Sequence, residues 1–168
     1  MRATDEIRKE ASEILQKLTR EQKAALLTGR DFWHTNDCGE SGLKAALLTD
    51  GPHGLRKQEG KSDHLGINGA LAATCYPTGC CSACSFDPEL IGRLGRALGE
   101  EARSEGVAVL LGPSVNIKRS PLGGRNFEYY SEDPLLTGKL ASAFIDGVQS
   151  CGVSASIKHY AANNQEKN

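Results

Sequence analysis

Five residues that can bind polar ligands lie at or beyond the ends of apolar segments in this sequence. Asp50, Lys158 and His159 each end a short apolar run, and Arg125 and Glu128 lie in the long polar stretch that follows another. In a parallel α/β sheet the carboxyl ends of the strands share one edge, so we expect these side chains to converge. A carboxylate accepts hydrogen bonds from adjacent hydroxyls, while Lys, Arg and His donate to others. The set therefore suits a polyhydroxylated ligand.

Each of these residues also has an interpretation without function. Asp50 precedes a Gly-Pro pair and is equally typical of a turn. Lys158 and His159 are of residue types that are usually exposed, as is Arg125 beside two glycines. The run Ser131–Pro134 is more typical of a helix N-terminus than of a pair of catalytic carboxylates. For Asp50, Lys158, His159 and Arg125, the sequence pattern alone does not decide between ligand binding and an ordinary turn or surface position.

Short apolar runs bounded by glycine are the elements that would position these side chains. They are Ala45–Leu48, Val107–Leu111 and Val153–Ile157, with a weaker candidate at Leu71–Tyr76. The runs do not alternate over their whole length, which is typical of strands buried on both faces. We therefore predict a strand at each of them.

Two helices with the same start signal lie between these runs. Asp87-Pro88 and Asp133-Pro134 each combine an N-cap carboxylate with a proline at the first helical position. The order strand, polar loop, helix, glycine, strand predicts βαβ units and a parallel sheet with right-handed crossovers. An amphipathic helix over Ile7–Leu18 and a capping box at Thr19 and Gln22 are predicted ahead of the first strand.

The composition is that of an ordinary folded domain. The chain has 168 residues, of which 39% are hydrophobic and 24% charged. Its formal net charge is −1, from 20 basic and 21 acidic side chains, without the basic excess typical of nucleic-acid binding. No apolar stretch approaches the roughly eighteen residues of a membrane span, and no signal-peptide core follows Met1. We therefore expect a cytoplasmic protein with no nucleic-acid partner and no membrane partner.

Four of the six cysteines, Cys75, Cys80, Cys81 and Cys84, form a cluster. A zinc site would need a second ligand pair at a defined spacing, and neither the cysteines nor the histidines show one. The one Cys-x-x-Cys comes shortly before a helix, which keeps a redox pair as a minor alternative. The surrounding alanines favour small buried side chains, and a cytoplasmic setting favours reduced thiols.

Three segments of the chain resemble the β-glucosidases of glycoside hydrolase family 3. They are Leu48–Arg56 with Thr-Asp-Gly-Pro-His-Gly, Leu111–Pro134 with Gly-Gly-Arg-Asn-Phe-Glu-Tyr, and Ile157–Glu166 with Lys-His-Tyr-Ala-Ala-Asn-Asn-Gln-Glu. Any one of these motifs is weak alone, but together they stand in the order and spacing of the family. The resemblance covers the chain from about Leu15 onward.

The resemblance implies an α/β fold, the N-terminal portion of a (β/α)8 TIM-type barrel that is incomplete in this chain. Residues 1–168 would form a partial N-terminal domain, with a helical lead-in at 1–43 and βα units at 44–168. A barrel of this kind needs about 250 residues and eight strands. We therefore expect the chain to be a fragment of a longer enzyme, whose remaining barrel and C-terminal domain would be its partners.

The resemblance also implies roles for five side chains. Asp50, Arg125, Lys158 and His159 match the residues that bind the hydroxyls of the sugar at the scissile bond, and Arg56 matches an arginine that orients the aspartate. Hydroxyl contacts that strengthen in the distorted transition state are part of this catalysis. The implied substrate is a terminal β-linked glucose or a related sugar, and no cofactor is implied.

The implied reaction is retaining hydrolysis, in which one carboxylate attacks and another protonates the leaving oxygen. The family's nucleophile is the aspartate of a Ser-Asp-Trp-like motif, which this sequence lacks, since its sole tryptophan is Trp33. We therefore expect no catalytic residue in this chain and no hydrolysis by the chain alone. Glu128, Glu132 and Asp133 are weak candidates for a carboxylate pair. A non-catalytic sugar-binding module, and less favoured a cysteine-based redox or metal module, are the alternatives.

Overall fold

The computed structural model describes residues 4–58 and 69–165. The chain divides into two compact units, with the boundary between Leu47 and Leu48. Within the described ranges, every helix is too short or too polar to cross a bilayer. His64, one of the histidines weighed as a metal ligand, lies outside the described residues.

The first unit begins with the predicted amphipathic helix and with a second, short helix that starts at the predicted capping box. Helix α1 spans Thr4–Lys17 and helix α2 spans Arg20–Ala25. The capping box is confirmed, because Thr19 Oγ1 accepts from Gln22 N at 3.2 Å and Gln22 Oε1 accepts from Thr19 N at 2.9 Å. No residue of α1 is buried, and on the apolar face that predicted this helix Leu18, one position beyond its end, is buried.

The second unit is built on a three-stranded parallel sheet in the order β1-β2-β3. Strand β1 is Leu48–Asp50, β2 is Val109–Leu111 and β3 is Ser154–Ala155. The parallel pairing predicted from the sequence is confirmed, with Asp50 in register with Leu111 and Leu110 with Ala155. The carboxyl ends of the strands therefore lie at one edge, as the predicted convergence requires.

The strand predicted at Leu71–Tyr76 is wrong, because these residues form no strand in the structure. They run instead into a short helix, α3 at Gly79–Ala83, which the sequence analysis did not predict. The interpretation of the cysteine cluster as buried is also wrong for Cys75, Cys81 and Cys84, which are exposed, and Cys80 is only partly buried. All six cysteines are free thiols.

Two long helices cover the sheet, and both begin at the predicted signals. Helix α4 spans Pro88–Ser104 and helix α5 spans Pro134–Gln149. Each has its aspartate as N-cap, for example Asp87 Oδ1, which accepts from the first-turn amides. Asp133 caps α5, which confirms that the Ser131–Pro134 run is a helix N-terminus. The core of the unit lies between these helices and the strands and includes Ile91, Leu98, Leu110, Leu140, Phe144, Val148 and Val153.

Glycines allow α4 and α5 to pack closely, and substitutions at these glycines test this packing. A Cβ at Gly95 would overlap the carbonyl oxygen of Phe144, and one at Gly147 would overlap that of Gly92. We expect Gly95→Ala to lower the free energy of unfolding by about 2 kcal/mol, because a main-chain oxygen cannot move aside as a side chain can. Gly138→Ala on exposed α5 surface, with open space around it, should raise the same quantity by up to about 1 kcal/mol. Urea denaturation of the two variants checks both signs.

Candidate functional site

Asp50 and Lys158, 108 positions apart in sequence, meet at the carboxyl edge of the sheet. Asp50 is the last residue of β1, and Lys158 follows β3, where it forms a parallel bridge with Ser114 beyond β2. Lys158 Nζ donates to Asp50 Oδ1 at 2.6 Å. The predicted convergence of these two side chains is therefore what the structure shows.

Arg125 and Glu128 reach the same edge from the loop after β2. A single 3-10 turn at Asn126–Glu128 places them on one side of the loop. Arg125 Nε donates to Glu128 Oε1, and Ser114 Oγ donates to Glu128 Oε2 at 2.6 Å. Lys158 Nζ lies 3.9 Å from the same carboxylate. Glu128 is only 5% exposed. Its buried negative charge is therefore stabilised by protein groups, namely the two cations and the Ser114 hydroxyl.

His159 completes the cluster, and its backbone and ring are both held. Its amide N–H donates to Asn116 Oδ1 at 2.7 Å, and Asn116 Nδ2 donates back to its carbonyl at 3.1 Å. Nε2 of the ring lies 2.6 Å from Arg125 Nη2. The peptide bond between Lys158 and His159 is cis. Four of the five predicted site residues thus lie in one group, joined by hydrogen bonds and by the ion pair of Lys158 with Glu128.

Arg56 is placed differently from the other four. Its backbone N–H donates to the carbonyl oxygen of Asp50 at 3.0 Å, as part of an antiparallel bridge. Its side chain is exposed, and among the described residues it makes no hydrogen bond to the Asp50 carboxylate. Its charge does help to lower the pKa of Asp50. Arg56 therefore acts on Asp50 through the main chain and through its charge.

The two carboxylates are held ionised by their partners. Burial raises the pKa of Asp50, but the hydrogen bond and the charge of Lys158 outweigh it and hold the pKa below its usual value. Burial likewise raises the pKa of Glu128, and the hydrogen bonds from Arg125 and Ser114 lower it further than burial raises it. Burial lowers the pKa of nearby His53, which favours the neutral imidazole there.

These shifts predict how the stability of the chain depends on pH. A carboxyl whose folded pKa lies below its unfolded value stabilises the fold above the unfolded pKa, about 3.9 for Asp and 4.3 for Glu, and loses this contribution as pH falls through the folded pKa. We expect the difference in unfolding free energy between wild type and Asp50→Asn to be constant from pH 7 down to about pH 5 and to shrink below about pH 4. Urea denaturation across pH 3–7 measures it. A difference that grows with acidity would contradict the assigned sign.

Ser114, Asn116, Tyr129 and Asn163 belong to the site but were not among the predicted residues. Ser114 and Asn116 lie at the start of the loop after β2, so the positional rule that selected Asp50 also points to them. Tyr129 is buried beside His159, with its hydroxyl 3.0 Å from His159 Nδ1. No motif or spacing in the sequence predicts this contact. Asn163 Nδ2 donates to the Tyr129 hydroxyl at 2.9 Å. The site is therefore a layered network rather than a ring of isolated side chains.

The arrangement presents charged donors and acceptors side by side at one sheet edge. The carboxylate of Asp50 accepts, and the ammonium of Lys158 and the guanidinium of Arg125 donate. Closely spaced groups of both kinds match a ligand that carries several hydroxyls, each of which donates and accepts. In the part of the chain that the structure describes, no group of His, Cys, Asp and Glu is arranged to hold a metal ion.

Comparison with known proteins gives one consistent result. The model of the glycosyl hydrolase family 3 N-terminal domain matches residues 16–167. Thermostable beta-glucosidase B of Acetivibrio thermocellus is 55% identical over 153 residues, which is 91% of this chain and 20% of the relative. An exo-alpha-(1->6)-L-arabinopyranosidase of Bifidobacterium longum is 50% identical over 153 residues, covering 90% of the chain and 20% of that protein. The chain spans about a fifth of the length of these curated relatives.

Solved structures agree with the sequence comparisons. Beta-glucosidase 3B from Thermotoga neapolitana in complex with alpha-D-glucose superimposes with a TM-score of 0.84 at 43% identity, over 93% of this chain and 24% of that one. A family 3 beta-glucosidase of Bifidobacterium adolescentis gives a TM-score of 0.81 at 49% identity, over 90% and 21%. With the parallel strands, these neighbours confirm the predicted fold class, the N-terminal portion of a (β/α)8 barrel.

Proposed function

The chain belongs to glycosyl hydrolase family 3, and from that membership we propose that it supplies the sugar-binding half of a retaining β-glucosidase. Asp50 would accept from two hydroxyls of a terminal β-linked glucose, and Lys158, Arg125 and His159 would bind the remaining ones. Arg56 would help to hold Asp50 in place. The observation that carries the proposal is the contact of Asp50 with Lys158, because it joins the first and the last family motif at one sheet edge.

In this proposal, the nucleophile and the acid/base that break the glycosidic bond lie in a different part of the enzyme. The carboxylates closest to the cluster have other tasks, since Glu128 is bound by Arg125 and Ser114 and Asp133 caps α5. A nucleophile must reach the anomeric carbon with a carboxylate oxygen that is not already engaged in this way. We propose that the nucleophile and the acid/base come from residues beyond Asn168 in a longer polypeptide, with the rest of the barrel and a C-terminal domain.

A chimera tests this assignment directly. The 153 aligned residues of the Acetivibrio thermocellus relative are replaced by those of this chain, and turnover of an aryl β-glucoside is measured for the chimera and for the 168-residue chain alone. We expect the chimera to hydrolyse the substrate and the chain alone to stay at background. A folded but inactive chimera, or turnover by the chain alone that Asp50→Ala abolishes, would overturn the proposal.

A second candidate concerns the sugar. A relative that is 50% identical over the same region is named an exo-alpha-(1->6)-L-arabinopyranosidase, so the same binding half is compatible with a different glycone. Turnover of an aryl α-L-arabinopyranoside by the chimera, measured beside the aryl β-glucoside, distinguishes the two. Calorimetry of the 168-residue chain with glucose tests the non-catalytic alternative, in which the sugar binds but no bond is cleaved. The cytoplasmic location stays a prediction.

A further inference from the structure

The imidazole of His159 lies between two groups with different hydrogen-bonding capacity. On one side, Nε2 is 2.6 Å from Arg125 Nη2. On the other, Nδ1 is 3.0 Å from the hydroxyl of Tyr129. A guanidinium has donors and no acceptor, so the nitrogen that faces it must accept and carries no proton. The ring proton of His159 then sits on Nδ1 and is donated to the Tyr129 oxygen.

The Tyr129 hydroxyl is itself fixed, which makes it a suitable anchor for the ring. Tyr129 is 2% exposed, so its hydroxyl meets protein groups rather than bulk water. Asn163 Nδ2 donates to the same oxygen at 2.9 Å. The rings of Tyr129 and His159 meet edge to face, with centroids 5.9 Å apart at 80°. A hydroxyl in this setting holds both the orientation and the tautomer of the histidine.

The main chain of His159 is held independently of its ring. Asn116 makes two hydrogen bonds to it, and the carbonyl of the preceding Lys158 accepts from Val115 N at 2.8 Å. The position of Cα is therefore set by the loop beyond β2. The rotation of the ring and the place of its proton depend on the groups that face its two nitrogens, and Tyr129 is the one that faces Nδ1.

We propose that Tyr129 is a positioning residue that keeps His159 neutral, with the proton on Nδ1 and the lone pair of Nε2 turned toward Arg125 and the site. His159 is then a hydrogen-bond acceptor on that side, whereas the residue type had predicted a donor. In terms of the proposed function, on which this part of the inference rests, a sugar hydroxyl would donate to His159 Nε2 in place of Arg125 Nη2, because this nitrogen has a single lone pair. Lys158 and Arg125 would supply the donors.

Imidazole nitrogen spectroscopy tests the tautomer without any activity measurement. In the 15N-labelled 168-residue chain, two-bond proton–nitrogen correlations separate an Nδ1–H ring from an Nε2–H ring, and loss of signals in His159→Gln identifies the residue. We expect His159 to show a protonated Nδ1 and an unprotonated Nε2. An Nε2–H ring in the wild-type chain would overturn the proposal, and this measurement needs no variant at Tyr129 to fold.

Two matched variants, Tyr129→Phe and Tyr130→Phe, then test whether Tyr129 positions the His159 ring or only contributes to packing. Tyr129→Phe removes the acceptor for the Nδ1 proton and should reduce the Nδ1–H population. Tyr130→Phe is the control, because Tyr130 is adjacent and also buried but its hydroxyl makes no hydrogen bond within the described residues, and it should leave the tautomer unchanged. Equal spectra for wild type and Tyr129→Phe, or equal changes in both variants, would count against the proposal.

Kinetics of the chimera connect the tautomer to the proposed function. We expect Tyr129→Phe to lower kcat/KM for an aryl β-glucoside about tenfold, the size of one hydrogen bond, while Tyr130→Phe leaves it unchanged. Unchanged kinetics in Tyr129→Phe would contradict the positioning role. If the chimera has no activity while the wild-type chain shows the expected tautomer, the proposed function fails and the assignment of the proton stands.

Discussion

Replacing Asp50 by Asn in the active chimera is expected to lower kcat/KM by about a hundredfold to ten-thousandfold. A carboxylate that accepts from two sugar hydroxyls makes two charged hydrogen bonds, each contributing about 1.5–3 kcal/mol, and each 1.36 kcal/mol is a factor of about ten in rate. Contacts that strengthen in the distorted transition state reduce kcat as well as raising KM. Steady-state kinetics with an aryl β-glucoside measure both parameters.

Two further variants make this prediction specific. Asp146→Asn removes the charge of an exposed aspartate near the C-terminal end of α5, whose side chain makes no hydrogen bond within the described residues, and should leave kcat/KM unchanged. Lys158→Met should also lower kcat/KM, and the double variant with Asp50→Asn should lose less than the product of the two, because each side chain is the partner of the other. Strict additivity would show that the two residues act separately. An Asp50→Asn enzyme with wild-type kcat/KM would remove Asp50 from the site.

The parallel frame of the second unit could be predicted from the sequence because its signals are local. An Asp-Pro pair marks a helix N-terminus through contacts within the first turn, which do not depend on the rest of the fold. Both α4 and α5 begin at such a pair. The edge-of-sheet rule then brought Asp50, Lys158 and His159 together without any contact information. Strand ends were less well defined, since the third predicted strand, Val153–Ile157, is paired only at Ser154–Ala155.

Partners of the site residues could not be predicted in the same way, because they depend on packing between segments far apart in sequence. Helix α3 was missed, yet it packs directly on the turn that carries Glu128, and a Cβ at Gly79 would overlap the Glu128 carbonyl oxygen. The tautomer proposed for His159 rests on its contacts with Arg125 and Tyr129, and no residue pattern encodes these contacts. The sequence therefore indicated which groups meet, and the structure adds the partners and distances from which their roles are inferred.

Glu128→Gln is expected to be the most destabilising single change in the site. The carboxylate lies between Arg125, Lys158 and the Ser114 hydroxyl, and its removal leaves two cations without the buried charge that they share. Breaking a buried ion pair from one side costs about 3–5 kcal/mol. We expect the lower end, about 3 kcal/mol, because the Arg125 side chain remains 33% exposed and water can solvate part of it.

Urea denaturation of the 168-residue chain, followed by far-ultraviolet circular dichroism, measures this loss. Glu132→Gln is the matched control, because Glu132 is close in sequence but exposed, and its effect should stay within about 0.5 kcal/mol. The variants of the two site carboxylates, Asp50 and Glu128, should then differ in whether they change kinetics or stability. Asp50→Asn should act mainly on the kinetics of the chimera, whereas Glu128→Gln should lower stability and kinetics together, since Arg125 and Lys158 lose the group that holds them. A Glu128→Gln chain as stable as wild type would show that Arg125 and Lys158 do not need this buried charge, with Lys158 held by Asp50.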